Sequence, residues 1–281
     1  MPNIHWFPGH MNRALREIGA KAALVDLVVE LRDARAVLSS TNQDVLNQIK
    51  KRQRLIVLTK SDLALEAETK KWIDYFVAEG QRAISVNLTE PKDLAKLVKA
   101  ICSSDGEKRQ KEAARGLKPQ PLRIMVVGVP NVGKSTLINK LVKKRVAQVE
   151  NRPGKTKAQQ WVKVDNKFEL LDTPGILPMK FDNPDFAINL ALLGMVKEDI
   201  LPKEELAYKI IQYLKKNHLT ALSSVYSLTD VQQKNEATII AEIGSRIGII
   251  DGGKPDLNRA ISTLLNDFRN GKITRLSLEK L

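Results

Sequence analysis

A loop with the chemistry of phosphate binding lies near the middle of the chain, where the sequence reads Gly128-Val-Pro-Asn-Val-Gly-Lys-Ser135. This is the pattern of a P-loop, and it lies between a strand-like run and a helix-like run, as the motif requires. In such a loop, backbone N–H groups and the start of the following helix surround a phosphate. The sequence therefore predicts a nucleotide site at this turn.

The residue types of the loop have distinct expected roles. Gly128 and Gly133 allow a close approach that a side chain would block. Lys134 is expected to bind the β- and γ-phosphates and to act in catalysis, and the Ser135 hydroxyl to ligate Mg²⁺. The predicted nucleotide-binding residues of this loop are Asn131, Val132, Gly133, Lys134, Ser135 and Thr136.

Two further motifs follow the loop in the chain. Asp172-Thr-Pro-Gly175 has the DxxG pattern, in which Asp172 would hold Mg²⁺ through water and the Gly175 N–H would reach the γ-phosphate. Thr156 lies between the two motifs and would close over the metal, as switch loops do. A loop threonine without a role is the alternative for Thr156.

A candidate guanine-binding loop lies far upstream, at Thr59-Lys-Ser-Asp62, directly after the strand-like run Leu55–Leu58. Asp62 can accept hydrogen bonds from guanine N1 and N2, and the stem of Lys60 can cover the ring. Ser85, after the next strand-like run, suits the loop that closes on the O6 side. Thr59 stands where asparagine is usual, which predicts weaker affinity with specificity retained, because specificity depends on Asp62.

The order of these motifs is therefore inverted: base loop, base-closing loop, P-loop, switch threonine, DxxG. A site at the carboxyl ends of parallel strands does not depend on which strand comes first. If the two ends of a chain with the usual motif order are joined and the chain is opened elsewhere, the site stays intact. The polar segment 104–121, which contains glycine and proline, is predicted to be the connection that joins those ends.

The elements needed to position these loops define the predicted fold. Strand-like and helix-like runs alternate through the first two thirds of the chain, which indicates an α/β domain with a mostly parallel sheet. Beyond it the periodicity is helical, with Asp256 as a plausible N-cap and Gly271 as a terminator of the last helix. We predict a permuted G domain over 1–200 and a small all-α domain over 201–281.

Composition limits the partners and the compartment. A net charge of +14 favours polyanions. The single cysteine, Cys102, excludes an intrachain disulfide, and the absence of a signal peptide or a spanning segment predicts a cytoplasmic protein without membrane contact. Bases are concentrated between Lys134 and Lys167, where only Glu150 and Asp165 oppose them. The bases of this stretch are Lys134, Lys140, Lys143, Lys144, Arg145, Arg152, Lys155, Lys157, Lys163 and Lys167.

With these motifs in this order, the chain resembles the circularly permuted GTPases, and within them the ribosome biogenesis GTPase A family of bacteria. The resemblance runs almost end to end. It implies a GTPase with a helical RNA-binding domain that acts late in large (50S) subunit assembly and is stimulated by the ribosomal particle. The residues that carry the resemblance are Trp6-Phe-Pro-Gly-His-Met11, Asp33-Ala-Arg35, Gly128–Ser135, Asn151-Arg-Pro-Gly-Lys-Thr156 and Asp172–Gly175.

The attacking water needs a group to orient it. Ile176 follows DxxG, where many G proteins have glutamine, and an apolar side chain cannot orient water. The resemblance implies that His10 is the catalytic group; packing or an RNA contact is the alternative. Asn131 in the P-loop resembles the asparagine with which potassium-activated GTPases hold K⁺ near the phosphates, and a simple turn residue is the alternative.

Two other classes of function compete with a regulatory GTPase. A metabolic P-loop enzyme, such as a kinase, would not explain Thr59–Asp62 or the DxxG motif. A passive RNA-binding module would not need Lys134, Ser135 and Asp172. We therefore expect GTP and GDP, Mg²⁺, rRNA and the large ribosomal subunit or its precursor as ligands and partners of a monomeric protein.

Overall fold

The computed structural model describes residues 8–143, 161–164, 167–171, 176–178, 181, 183–196, 201–248, 250–251 and 254–281. The chain divides into two compact units. The first comprises Met1–Asp182 together with Glu279–Leu281, and the second comprises Asn183–Leu278.

The first unit is built on a six-stranded sheet with the order β3-β2-β1-β4-β6-β5. Five strands run parallel, and β5 pairs with β6 in the antiparallel sense. This is the mostly parallel sheet that the sequence predicts. The strands are β1 (Leu27–Asp33), β2 (Gln53–Thr59), β3 (Arg82–Val86), β4 (Leu122–Val127), β5 (Trp161–Lys163) and β6 (Phe168–Leu171).

Strand β1 is the most enclosed, because all seven of its residues are buried. A strand buried along its whole length has both faces covered, as in parallel sheets flanked by helices. Its neighbours are β2 and β4, so the strands that precede the two nucleotide loops both pair with it. Their carboxyl ends therefore lie at one edge of the sheet.

Six helices flank this sheet in the described part of the first unit. On one face, Leu15 and Ile18 of the first helix and Val45 and Ile49 of the second pack against Met125 and its neighbours in the sheet. The third helix covers β2 with Trp72 and Phe76. The helices are α1 (Pro8–Ala22), α2 (Gln43–Ile49), α3 (Glu66–Ala78), α4 (Pro91–Cys102), α5 (Gly106–Ala114) and α6 (Lys134–Lys143).

The segment 104–121 is helical in its first half, where the composition predicts an irregular connection. Arg109 pairs with Asp105 at 2.8 Å and with Glu112 at 2.7 Å, spacings that stabilise a helix. Lys108 donates to Asp26 at 2.7 Å and to the Pro121 carbonyl at 2.6 Å, which fixes α5 to the domain. The connection is therefore an ordered element stabilised by charges rather than by an apolar stripe.

The second unit is mainly helical and contains α7 (Pro184–Leu192), α8 (Lys203–Asn217), α9 (Leu219–Tyr226), α10 (Glu236–Arg246) and α11 (Leu257–Arg269). Asp256 caps α11 by accepting from the Arg259 N–H at 3.0 Å, and Gly271 follows it with φ +69°. Both predicted ends of this helix are confirmed. The unit also has a short antiparallel pair, Ile250–Asp251 with Lys254–Pro255, so it is not wholly α-helical.

The division between the units lies at Asn183 rather than near residue 201. Helix α7 belongs to the second unit, because Arg269 of α11 donates to the carbonyls of Leu192 at 3.1 Å and Ala191 at 3.0 Å. The sequence gives no composition break before α7 that marks this boundary. Among the described residues, no helix is both long enough and apolar enough to cross a membrane.

Candidate nucleotide-binding site

The base loop and the P-loop are in direct contact. Thr59, the last residue of β2, is fully buried, and its hydroxyl donates to the Val132 carbonyl at 2.7 Å. The same oxygen lies 3.1 Å from the Arg32 carbonyl oxygen. The hydroxyl of Thr59 therefore joins the two loops across the intervening strand β1, in the role that an asparagine amide would otherwise have.

Close packing explains the glycines of the P-loop. Gly128 has φ +154°, and a Cβ there would lie 2.7 Å from the Leu31 carbonyl oxygen and 2.9 Å from Val132 Cγ1. A Cβ on Gly133, whose φ is +115°, would lie 3.0 Å from Leu88 Cδ1, which belongs to the segment after the base-closing strand β3. The P-loop backbone is thus in contact with β1 on one side and with the base-closing segment on the other.

Replacing Gly128 with alanine is expected to damage the P-loop. The added Cβ would meet backbone in a conformation that side chains rarely adopt, at a cost of about 1–3 kcal/mol. We expect this strain to weaken GTP binding roughly tenfold to a hundredfold. Isothermal titration with GTP measures the loss.

Gly116→Ala is the matched control for this substitution. Gly116 also has a positive φ, +64°, but nothing lies within 4 Å of its Cβ position. It should cost about 1 kcal/mol of stability and leave the GTP affinity unchanged. Equal GTP affinities for the two variants and the wild type would contradict the packing argument.

The polar residues of the P-loop are arranged around the start of α6. Lys134 is 8% exposed, and its ammonium donates to the carbonyls of Gly128 at 3.0 Å and Val129 at 2.6 Å. Ser135 and Thr136 are exposed in the first turn of α6. The charge is therefore held inside the loop, while two hydroxyls reach solvent beside the helix N-terminus, where the backbone dipole favours anions.

The guanine-binding residues predicted from the sequence lie at the same edge. Lys60 has a left-handed backbone, φ +55°, and Asp62 lies in the short 3₁₀ turn Ser61–Leu63 directly after it. Ser85 pairs in register with Leu58 of β2, one residue before Thr59. Asp62 and Ser85 are both partly exposed. The structure thus brings the base loop, the base-closing segment and the P-loop together.

A buried charge cluster of Asp33, Arg35 and Lys60 supports the base loop, and the sequence motifs assign no role to Asp33 or Arg35. Asp33 ends β1 and is fully buried, as is the side chain of Arg35, whose Nε and terminal nitrogen each donate to it at 2.9 Å. Lys60 Nζ lies 3.1 Å from the same carboxylate. Burial acts to raise the pKa of Asp33, but Arg35 and Lys60 together hold it below its ordinary value.

The ion pair between Lys60 and Asp33 fixes the Lys60 side chain, which is predicted to cover the guanine ring. The cluster is hard to recognise in the sequence, because an acid and an arginine near the end of a strand resemble an ordinary turn. Two structural features bring its members together: the left-handed conformation of Lys60 and the pairing of Asp33 with Thr59 in the sheet. Asp33 and Arg35 are therefore positioning residues for the base loop.

The segment that follows the DxxG motif is also anchored. The Ile176 side chain is 4% exposed and packs in the core with α1 and α2. Its carbonyl accepts from the Asn42 side chain at 3.0 Å, while Asn42 also caps α2. Ile176 is thus occupied in packing, which agrees with the expectation that it does not orient water.

Several predicted site residues lie outside the described part of the chain. Thr156, Asp172 and Gly175 do so entirely, and for His10 only the backbone is described, within α1. Strand β6 ends at Leu171, paired in parallel with Met125 of β4. The strand that precedes the DxxG motif, β6, is therefore next to the strand that precedes the P-loop, β4.

The described residues include one ligand for the magnesium ion that the sequence motifs predict. Ser135 provides an exposed hydroxyl at the start of α6. Within the described residues, no group of three or more His, Cys, Asp or Glu side chains could hold a metal. A hydroxyl beside a phosphate loop suits Mg²⁺, which binds through few protein ligands and the phosphates of its substrate.

The fold and the site define a P-loop GTPase whose motifs occur in circularly permuted order. A family model described as "50S ribosome-binding GTPase" matches residues 123–242. The chain is similar to ribosome biogenesis GTPase A of Bacillus cereus, with 39% identity over 98% of the chain and 93% of the relative, and of Thermotoga maritima, with 32% identity over 99% and 94%. The chain belongs to the ribosome biogenesis GTPase A family.

Solved structures agree with this assignment. GDP-bound YlqF has a TM-score of 0.66 and 28% identity, over 94% of this chain and 99% of that one. GNP-bound YlqF from T. maritima has a TM-score of 0.64 and 28% identity, over 95% and 98%. The protein is therefore a GTP-hydrolysing enzyme and a ribosome assembly GTPase, with guanine nucleotide and the ribosomal particle as partners. This excludes the metabolic kinase and the passive RNA-binding module.

Proposed function

We propose that the protein acts late in maturation of the large (50S) ribosomal subunit, that it binds rRNA, and that the particle stimulates its GTPase. The supporting observation is the Thr59–Val132 contact, in which the loop predicted to bind guanine touches the P-loop. Residues that bind the nucleotide in this proposal are those predicted above in the P-loop, together with Thr59, Lys60, Asp62, Ser85, Thr156 and Gly175.

The decisive experiment is GTP turnover with and without purified large ribosomal subunits. We expect stimulation by large subunits, no stimulation by small subunits, and no hydrolysis of ATP under either condition. Equal turnover with and without large subunits would contradict stimulation by the particle. Hydrolysis of ATP at the rate of GTP would contradict the guanine site.

His10 is the proposed group that orients the attacking water. A neutral histidine can hydrogen-bond water near pH 7, because its unperturbed pKa is about 6.5. His10→Ala should lower particle-stimulated turnover by about 10²- to 10⁴-fold, the usual contribution of such a group. GTP affinity should be unchanged, since His10 is outside the loops that bind the nucleotide. Single-turnover rates and titration separate the two effects, and unchanged stimulated turnover would remove His10 from the mechanism.

Two cations complete the proposed site. Mg²⁺, held by Ser135, Thr156 and, through water, Asp172, would neutralise charge on the β- and γ-phosphates. Asn131, exposed and left-handed at φ +55°, is proposed to help hold K⁺ beside the phosphates, as a fixed charge. Turnover should be faster in KCl than in NaCl at equal ionic strength, and equal rates would remove the K⁺ site.

The proposed rRNA contacts are the helical second unit and the basic stretch up to Lys167. If about six to ten phosphates are neutralised, RNA affinity should fall about 10³- to 10⁵-fold between 50 and 200 mM salt. A flat salt response would contradict a phosphate contact. A monomer in the cytoplasm, where large subunits are assembled in bacteria, completes the proposal; sedimentation of the purified protein tests the monomer.

A further inference from the structure

A basic cleft lies in the first unit at the edge of the sheet opposite the nucleotide loops. It has a volume of about 700 Å³, and it is lined by the first residues of three strands: Leu27 of β1, Gln53 of β2 and Arg82 of β3. The nucleotide loops follow the last residues of these strands or of their neighbours. Seven residues of strand span roughly 20 Å, so this cleft is a separate site.

The charge of the cleft is one-sided. The described residues that line it include four bases, Lys50, Arg52, Arg54 and Arg82, and no acid. A second concavity of about 300 Å³ continues from it and shares Arg52, Gln53 and Ser104. Its lining adds the bases Lys51, Lys108, Lys111 and Arg115 and the acids Asp26 and Glu112. The two concavities form one basic track.

Neutral groups hold the guanidinium groups in place. Arg52 donates to the Ala23 carbonyl at 2.9 Å, and Arg54 donates to the Gln81 side-chain oxygen at 2.7 Å. Arg82 donates to the Ala100 carbonyl at 3.1 Å and to the Ser103 hydroxyl at 2.8 Å. These bonds orient the groups without neutralising them. Only Arg54 has a described acidic neighbour in addition, Glu30 at 3.3 Å.

We propose that this basic track binds the phosphate backbone of RNA and gives the GTPase domain its own RNA contact. Preorganised guanidinium groups suit phosphate oxygens, since they present several N–H donors in a fixed plane. A row of bases along two joined concavities suits phosphates that repeat along a strand better than a single small anion. The described lining has no aromatic side chain for base stacking, so the contact is with the backbone and independent of sequence.

The inference rests on the proposed rRNA binding, and it adds a surface outside both regions proposed above. It also has a functional consequence. RNA bound here leaves the nucleotide edge open, so the GTPase domain can bind GTP and RNA at the same time. Binding of RNA and binding of GTP should then be separable by substitution.

The test is fluorescence anisotropy of a labelled mixed-sequence RNA hairpin with the full-length protein between 50 and 200 mM KCl. The double variant Lys50→Gln/Arg52→Gln should weaken RNA binding roughly tenfold to a hundredfold at about 0.1 M salt. The slope of log affinity against log salt concentration should decrease by the equivalent of about two phosphate contacts. GTP affinity should be unchanged. A second variant, Lys50→Gln/Lys51→Gln, changes two exposed lysines for which no hydrogen bond or ion pair is found in the described chain, so it tests charge without disturbing packing.

The matched control is Lys70→Gln/Lys92→Gln, which removes the same charge from exposed positions in the first halves of α3 and α4. The cleft lies beyond the other ends of these helices, at Gly80 and Ser103. Control and wild type should bind the hairpin alike. If both cleft variants bind it as tightly as the control, the basic track is not an RNA contact. If the wild type itself binds no RNA, the proposed rRNA binding fails first, and the inference falls with it.

Lysine acylation gives an independent measurement in the same complex. RNA should protect Lys50 and Lys51 from an amine-reactive reagent and leave Lys70 and Lys92 as reactive as in the unbound protein. Equal reactivity of Lys50 and Lys51 with and without saturating RNA would overturn the inference.

Discussion

Asp62→Asn should change the base that the protein binds from guanine to xanthine. In the proposed site the carboxylate would accept from the N1 and N2 donors of guanine, whereas an asparagine side chain offers one acceptor and one donor. Xanthine has an N1–H donor and a carbonyl at C2, which match that pair. GTP affinity should fall by up to about 10⁴-fold, because a site built for particular polar groups rejects a mismatched base strongly. Titration with GTP, XTP and ATP measures the change.

The gain of XTP binding makes this substitution informative. A misfolded variant would bind neither nucleotide, so tight XTP binding shows that the site is intact. Asp62 lies in a short turn and is partly exposed, so the substitution should hardly affect folding. GTP binding that survives Asp62→Asn at wild-type strength would remove Asp62 from the base site, and with it the permuted order of the motifs.

Arg35→Met should destabilise the first unit by about 3–5 kcal/mol, the usual cost of removing one partner of a buried ion pair. The Asp33 carboxylate is fully buried and, within the part of the chain that the structure describes, would keep only Lys60 as a charged partner. Urea unfolding monitored by circular dichroism measures the loss. GTP affinity should also fall, because Lys60 depends on the same carboxylate for its position.

Lys60→Met is the matched control for the cluster. It removes a partner of the same carboxylate, but the Lys60 side chain is 28% exposed. The expected loss of stability is about 1 kcal/mol or less, as for partly solvated pairs. If Arg35→Met and Lys60→Met cost the same, burial does not decide the strength of this cluster.

The pH dependence of stability provides a check on Asp33. Its pKa is lowered in the folded protein, so its contribution is present above the unfolded pKa, near 4, and is lost as the pH falls through the lower folded pKa. The stability difference between wild type and Arg35→Met should therefore be constant from pH 7 to about 5 and shrink at lower pH. A difference that grows with acid would contradict the lowered pKa.

The site was largely predictable because its chemistry is local. A glycine-bearing loop between a strand and a helix, or an aspartate three residues after a strand that ends in threonine, can be identified without knowing the neighbours. The reversed order of the motifs then required their strands to end at the same edge of one sheet, and the contact of Thr59 with Val132, across strand β1, shows that they do.

What the sequence did not reveal depends on distant partners. Helix α5 has no apolar stripe, and its order comes from charges on Lys108 and Arg109 that meet Asp26, Asp105 and Glu112. The start of the second unit at Asn183 depends on Arg269, far along the chain. The cluster of Asp33, Arg35 and Lys60 forms only when β1 pairs with β2.

The last three residues of the chain belong to the first unit, although the unit before them in sequence is the second. Glu279 accepts from the Leu38 N–H at 2.5 Å, from the Ser39 N–H at 2.9 Å and from the Ser39 hydroxyl, in the segment that follows β1. These three hydrogen bonds fix the last residues of the first unit to the segment after β1, although 240 positions in the chain separate Ser39 from Glu279. Trimming the final few residues, or fusing a bulky tag to Leu281, would remove or disturb these bonds.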